Sequence, residues 1–219
     1  MAIKVIITGS TGMVGEGVMM ECLANNQVSE VLTISRKPSG HSHPKLKEII
    51  HADFYDLSAI EEQLGGYDAC LFCLGVSSVG MNEADYTKVT YDLTMHVAQT
   101  LARHNPNMTF EYISGAGTDT SEQGRLMWAR VKGKIENDLA KLFANAYAVR
   151  PGIMKPTKGQ KHVLSAYKYF GWLYPIIRAL SSNAACTIQE LAKAMINAAT
   201  KGYEKHILEV KDIIELSRR

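Results

Sequence analysis

Several function classes fall away because of what this chain lacks. No apolar run approaches the roughly 18–20 residues that a membrane-spanning helix requires. The nearest, residues 167–180, is broken by Lys168, Gly171, Pro175 and Arg178. The N-terminus MAIKVIITGS passes from a short apolar run straight into a turn, without the longer apolar core and small-residue cleavage site of a secretory leader, so a cytoplasmic protein is expected. Neither sign of charge dominates: 24 Lys and Arg stand against 22 Asp and Glu. That balance gives no field for nucleic acid or an anionic membrane, and the expected partner is a small-molecule substrate or another protein.

Cysteine is scarce. Without an export signal, Cys22, Cys70, Cys73 and Cys186 read as reduced thiols. Cys70 and Cys73 form a C-x-x-C, but inside the apolar run DACLFCLG, where a strand would turn the two side chains to opposite faces. Histidine is no more suggestive: His41 and His43 lie in a polar loop and read as solvated, His96 and His104 belong to helix faces, and none pairs recognisably with an acid. No metal is expected.

What is present is alternation. Apolar runs rich in β-branched residues predict strands over 3–8, 31–35, 47–51, 69–74, 109–114, 147–150 and 206–210. Segments of helical period predict helices over 13–24, 57–64, 83–103, 125–145, 162–180, 188–200 and 212–216. The expected fold is α/β, one doubly wound parallel sheet of about seven strands flanked by helices, in a single domain spanning residues 1–219. Residues 151–183 depart from the alternation and gather Tyr167, Tyr169, Phe170, Trp172 and Tyr174, which suits either a helix on the core or a small segment covering a substrate.

The first strand runs into Gly9, Ser10, Thr11, Gly12, Met13, Val14 and Gly15. Glycines at three-residue intervals between a strand and a helix allow a tight turn, close approach of a pyrophosphate, and packing of helix against strand. The helix N-terminus adds unpaired N–H groups and a positive dipole end. A dinucleotide site is therefore expected. Its ribose is read at the end of the second strand, where an acid would bind the 2′-hydroxyl of NAD(H). Here the residues are Ser35, Arg36 and Lys37. Two cations suit a 2′-phosphate, so NADP(H) is preferred over NAD(H); the plain alternative is a solvated turn before Pro38.

With the turn Thr8 to Gly15 in place, the sequence resembles the atypical short-chain dehydrogenase/reductases, a nicotinamide-dinucleotide Rossmann group that includes NAD-dependent epimerases and dehydratases. The runs CLG, RVKGKIE and VRPGI resemble its Tat-interacting-protein branch most. The resemblance implies an oxidoreductase acting on a small carbonyl or hydroxyl compound. It also implies that Asp53 and Phe54 contact adenine, that Leu74 and Gly75 lie beside the ribose, and that Pro151, Gly152 and Ile153 follow the sixth strand at the cofactor. Ser114 and Lys132 would be the catalytic pair, with Lys132 also holding the nicotinamide ribose. Related proteins often dimerise through the helices expected at 83–103 and 125–145.

One departure matters. Catalytic members carry a proton-relaying Tyr four residues before the Lys, and here that residue is Trp128, fourteen residues after Ser114. An indole N–H donates a hydrogen bond but does not ionise at working pH. No tyrosine in the chain has a lysine four residues on. Tyr86 and Tyr91 are substitute acids or packing residues, Val89-Thr90-Tyr91-Asp92 replaces the relatives' Asn, and Ser114 either binds a carbonyl or caps a strand end. Two readings stay open: an oxidoreductase with a different proton source, and a non-catalytic NADP(H)-binding regulator or redox sensor.

Overall fold

The computed structural model of the chain describes residues 1–163, 174–180 and 183–219. Its elements are β1 (Ile3–Thr8), α1 (Met13–Ala24), β2 (Val28–Ser35), β3 (Leu46–Ile50), a 3-10 turn (Glu61–Leu64), β4 (Ala69–Phe72), α2 (Glu83–Thr87), a π turn (Lys88–Asp92), α3 (Leu93–His104), β5 (Thr109–Ile113), α4 (Met127–Leu142), β6 (Asn145–Arg150), β7 (Ile153–Lys155), α5 (Tyr174–Leu180), β8 (Ala185–Thr187), α6 (Ile188–Lys201), β9 (Ile207–Glu209) and α7 (Val210–Leu216).

Seven strands form one parallel sheet in the order β3-β2-β1-β4-β5-β6-β9. Strand residues alternate between its faces. Val5, Ile7, Leu71 and Val149 face α1, α6 and α7, while Ile6, Cys70, Phe110 and Tyr112 face α3 and α4. Cys73 packs against the first of these cores and Cys70 against the second, so the two thiols diverge. The strand order reverses between β1 and β4, and in open α/β sheets the crevice outside the carboxyl ends at that reversal is where ligands bind.

The predicted helix at 57–64 shrinks to the 3-10 turn. Asp53 and Asp56 accept from the amides of Tyr55 and Ser58 at 2.8 and 3.0 Å, local bonds that compete with a helical start. The predicted helix at 83–103 is interrupted by the π turn, which lies on Val89-Thr90-Tyr91, two β-branched residues and an aromatic. Two short parallel partners, β7 and β8, escape the strand pattern because three residues are too few to show a period. The predicted helix at 162–180 and the covering segment at 151–183 fall partly outside the described residues, as do Tyr167, Tyr169, Phe170 and Trp172.

Arg150, at the end of β6, is buried and grips Glu136 of α4 with two donors, Nε at 3.0 Å and Nη2 at 2.5 Å, while Nη1 reaches Glu209 at 3.2 Å. The Glu136 carboxylate holds the guanidinium above its ordinary pKa. This pair fixes α4 over β6. Arg150→Met would leave Glu136 buried without its partner and is expected to lower unfolding free energy by about 3–5 kcal/mol, measured by urea denaturation at neutral pH.

Candidate functional site

The crevice is built first from glycine. Gly9 follows β1 with φ +72, and a Cβ there would stand 2.7 Å from the carbonyl oxygen of Cys73 at the end of β4. At Gly15 a Cβ would stand 2.2 Å from the carbonyl of Gly9, so α1 closes directly over the turn. The amide of Gly12 donates to Gly9 O at 2.9 Å, and Thr8 Oγ1 accepts from Leu74 N at 3.3 Å, tying the ends of β1 and β4 together. Gly12 is the N-cap of α1 and supplies no side-chain cap, which leaves the first-turn amides at Met13 and Val14 to an outside acceptor. Ser10 Oγ is buried with no partner among the described residues. An uncapped helix end, a backbone cradle and an orphaned hydroxyl fit the pyrophosphate of a dinucleotide.

Beside the turn lies a cavity of about 380 Å³ that brings together Arg36, Asp53, Phe54, Leu74, Gly75 and Thr90. The five of these that the sequence singled out come from three separate loops. The π turn supplies Val89 and Thr90 to the cavity wall, Thr90 Oγ1 is buried with no partner among the described residues, and the Tyr55 hydroxyl donates to the Lys88 carbonyl at 2.9 Å, fixing the two loops against each other. Arg36 is exposed on the cavity rim; Lys37 is also exposed and its carbonyl accepts from Ser35 Oγ at 2.6 Å.

The second half of the crevice lies beyond β5. Ser114 is buried, and its hydroxyl donates to the carbonyl of Val149 at 3.3 Å, alongside its own amide at 2.9 Å. That places it at a strand end and spends it on β6. Lys132 Nζ donates to the Ser114 carbonyl at 2.5 Å and stands 5.9 Å from the ring centre of Tyr112. Burial pulls the Lys132 ammonium down to about 8, with Glu136 opposing that fall. Trp128 is half-buried one turn before it, its indole 3.6 Å from where a Cβ on Gly117 would stand.

Neither tyrosine named as a substitute acid is free. Tyr91 donates to Asp138 Oδ2 of α4 at 2.7 Å, with Lys134 4.9 Å from its ring centre, and Tyr86 is buried to 1% exposure. Tyr112, which the sequence reading passed over, lies under Lys132; burial pushes its phenol well above its ordinary value, with Tyr86 and Glu136 adding to the rise. Its only sequence signal is a phenol in a strand that also carries Thr109 and Glu111.

After β6, Pro151 O accepts from Ala116 N at 3.0 Å, Gly152 lies where a Cβ would meet Ala184 O at 2.2 Å, and Ile153 is exposed at 44%. Thr157, also missed, ends near the glycine turn: its amide donates to Gln160 Oε1 at 2.6 Å, Gln160 Nε2 donates to Met13 O at 2.5 Å, and Thr157 Oγ1 is buried with no partner among the described residues. The histidines depart from expectation as well, since His41 Nε2 lies 2.9 Å from Glu16 and His104 Nε2 lies 2.9 Å from Glu61.

Comparison with known proteins agrees with this geometry. Residues 5–122 match the model of the NAD dependent epimerase/dehydratase family. The protein FMP52, mitochondrial, of Chaetomium globosum is 26% identical over 97% of this chain and 96% of its own length. The protein HTATIP2 of Rattus norvegicus is 24% identical over 98% of this chain and 89% of its own. Among solved structures, the ADP-L-glycero-D-manno-heptose-6-epimerase of Helicobacter pylori superposes with a TM-score of 0.69 at 14% identity, over 99% of this chain and 81% of that one. The fungal relatives correct one expectation. Several carry mitochondrial in their names, which overturns the cytoplasmic placement read from the N-terminus. The pattern sought there reports only on secretion, so its absence said nothing about delivery to an organelle.

Lys132 gives a direct test. Its folded pKa of about 8 lies below the roughly 10.4 of a free lysine, so between those values the unfolded chain binds more protons and stability rises with pH. Urea unfolding is expected to show that rise between pH 8 and 10, by about 1–3 kcal/mol, and Lys132→Met is expected to remove it.

Proposed function

Because the chain belongs to the NAD dependent epimerase/dehydratase family, whose members bind nicotinamide dinucleotides, we propose that it is an NADP(H)-dependent oxidoreductase acting on a small carbonyl or hydroxyl compound. The observation that carries the cofactor choice is Arg36 on the rim of the 380 Å³ cavity, next to Lys37 and with no acid where an NAD-specific site needs one. A guanidinium there pairs in bidentate fashion with a 2′-phosphate and stacks on adenine.

Each segment of the crevice then has a task. The turn of Gly9, Ser10, Thr11, Gly12, Met13, Val14 and Gly15 holds the pyrophosphate; Asp53 and Phe54 flank the adenine, and Leu74 and Gly75 the adjoining ribose. Lys132 holds the nicotinamide ribose, and Pro151, Gly152 and Ile153 border the nicotinamide. The bound dinucleotide supplies or accepts the hydride. Trp128 orients a carbonyl oxygen through its indole N–H without transferring a proton. The Ser114 hydroxyl is committed to Val149 and must turn from it to reach a substrate.

That commitment, with Trp128 packed on Gly117, is what favours the second reading: a protein that keeps NADP(H) as a regulatory or redox-sensing ligand without turnover. Fluorescence titration separates the cofactors. NADPH is expected to bind at least tenfold more tightly than NADH, about 1.4 kcal/mol, and Arg36→Ala to erase most of that difference while weakening NADH only through the lost adenine stacking; equal affinities in the wild type overturn the NADP(H) assignment. In the wild-type protein the proton that accompanies the hydride is drawn from solvent water, so Trp128→Tyr is expected to raise NADPH-dependent reduction across a panel of small aldehydes and ketones. Tight NADPH binding with no turnover in either protein selects the regulatory reading.

A further inference from the structure

Glu16, in the first turn of α1, has a fully buried carboxylate that the sequence reading left aside. Three donors from two distant segments converge on it. His41 Nε2, in the loop that begins with Arg36 and Lys37, lies 2.9 Å from Oε1. The backbone amides of Lys161 and His162 donate to Oε1 and Oε2 at 2.8 and 2.7 Å. Burial alone would raise this carboxyl, yet the bonds from Lys161, His41 and His162 outweigh it and hold the group below its ordinary value.

The same two segments meet again where Lys161 Nζ donates to the carbonyl of Gly40 at 2.5 Å, and Gln160 ties the second of them to Met13 at the start of α1. Gly17 allows this crowding, because a Cβ there would stand 2.4 Å from Ile188 Cγ2 and 3.0 Å from Gln160 Oε1. Around the junction, Ser10 Oγ, Thr157 Oγ1 and His162 Nε2 are buried with no partner among the described residues, one from the glycine turn and two from the segment after β7. A carboxylate shared in this way cannot follow one segment without stretching its bonds to the other, and such bonds weaken steeply with distance and angle.

We propose that Glu16 is a positioning residue that couples the loop 36–41 to the segment 156–163, so that a phosphate held by the first alters the second. The coupling rests on the NADP(H) reading of Arg36. It makes the 2′-phosphate end of the cofactor the signal that sets the segment 156–163, which falls within the stretch 151–183 expected to cover a substrate.

Hydrogen–deuterium exchange on the full chain tests it, with adenosine 2′,5′-bisphosphate as the probe because it lacks the nicotinamide half. In the wild-type protein the probe is expected to slow exchange severalfold both in 36–41 and at the amides of Lys161 and His162. Glu16→Gln and, as a milder change that leaves α1 intact, His41→Ala are expected to keep the protection of 36–41 and lose that of Lys161 and His162. Protection of 36–41 alone in the wild type overturns the coupling and leaves the NADP(H) reading standing. An undiminished response at Lys161 and His162 in both variants also overturns it, since the signal then bypasses Glu16. Protection of neither segment overturns both readings.

Discussion

The spacing between the glycine turn and its surroundings is the constraint on which the rest of this structure depends. Two missing side-chain carbons, at Gly9 and Gly15, let the turn lie against the carbonyl of Cys73 and let α1 lie against the turn. If either approach were widened, the open amides of α1 would no longer face the crevice between β1 and β4. Everything else in the site is referenced to that spot: the cavity rim at Arg36, the Lys132 ammonium beyond β5, and the segment carrying Thr157.

Much of this was legible in the sequence, for a reason that can be stated residue by residue. Central strands of a parallel sheet are buried on both faces, so β4 appears as an unbroken apolar run and β1 as one broken only by Lys4, and the glycine turn has a pattern dictated by sterics. Phe54, Leu74 and Gly75 line the same cavity as Arg36 because each follows a strand whose end the sheet fixes. The unreadable parts depend on long-range packing. Nothing local marks Glu16 as the acceptor for amides some 145 residues away, or Tyr112 as the floor beneath Lys132. Arg150 stands in the sequence only as part of the run VRPGI, and nothing local marks it as the anchor of α4 to β6.

The crevice beyond β5 is ordered by contacts that do not run through the side chain at position 128. Lys132 keeps its place through the Ser114 carbonyl, not through the residue at position 128, and the loop between them is held by Asp119, which accepts from the amides of Ser121 and Gly124. Trp128 fills its space by packing on Gly117. Lys132 and Trp128 are therefore held by different contacts, and a change at one leaves the other standing.

The π turn at Lys88–Asp92 has a consequence for kinship. A helix advances about 100° per residue, and the wider π turn takes in one more residue than the α-helical turn it replaces. Two descendants of one ancestor that differ by this insertion keep the same face of α3 on the sheet while their residue counts drift apart by one. Matching such chains letter by letter across residues 88–92 pairs side chains that stand on different sides of the helix, so that descent is better traced there by turn than by position.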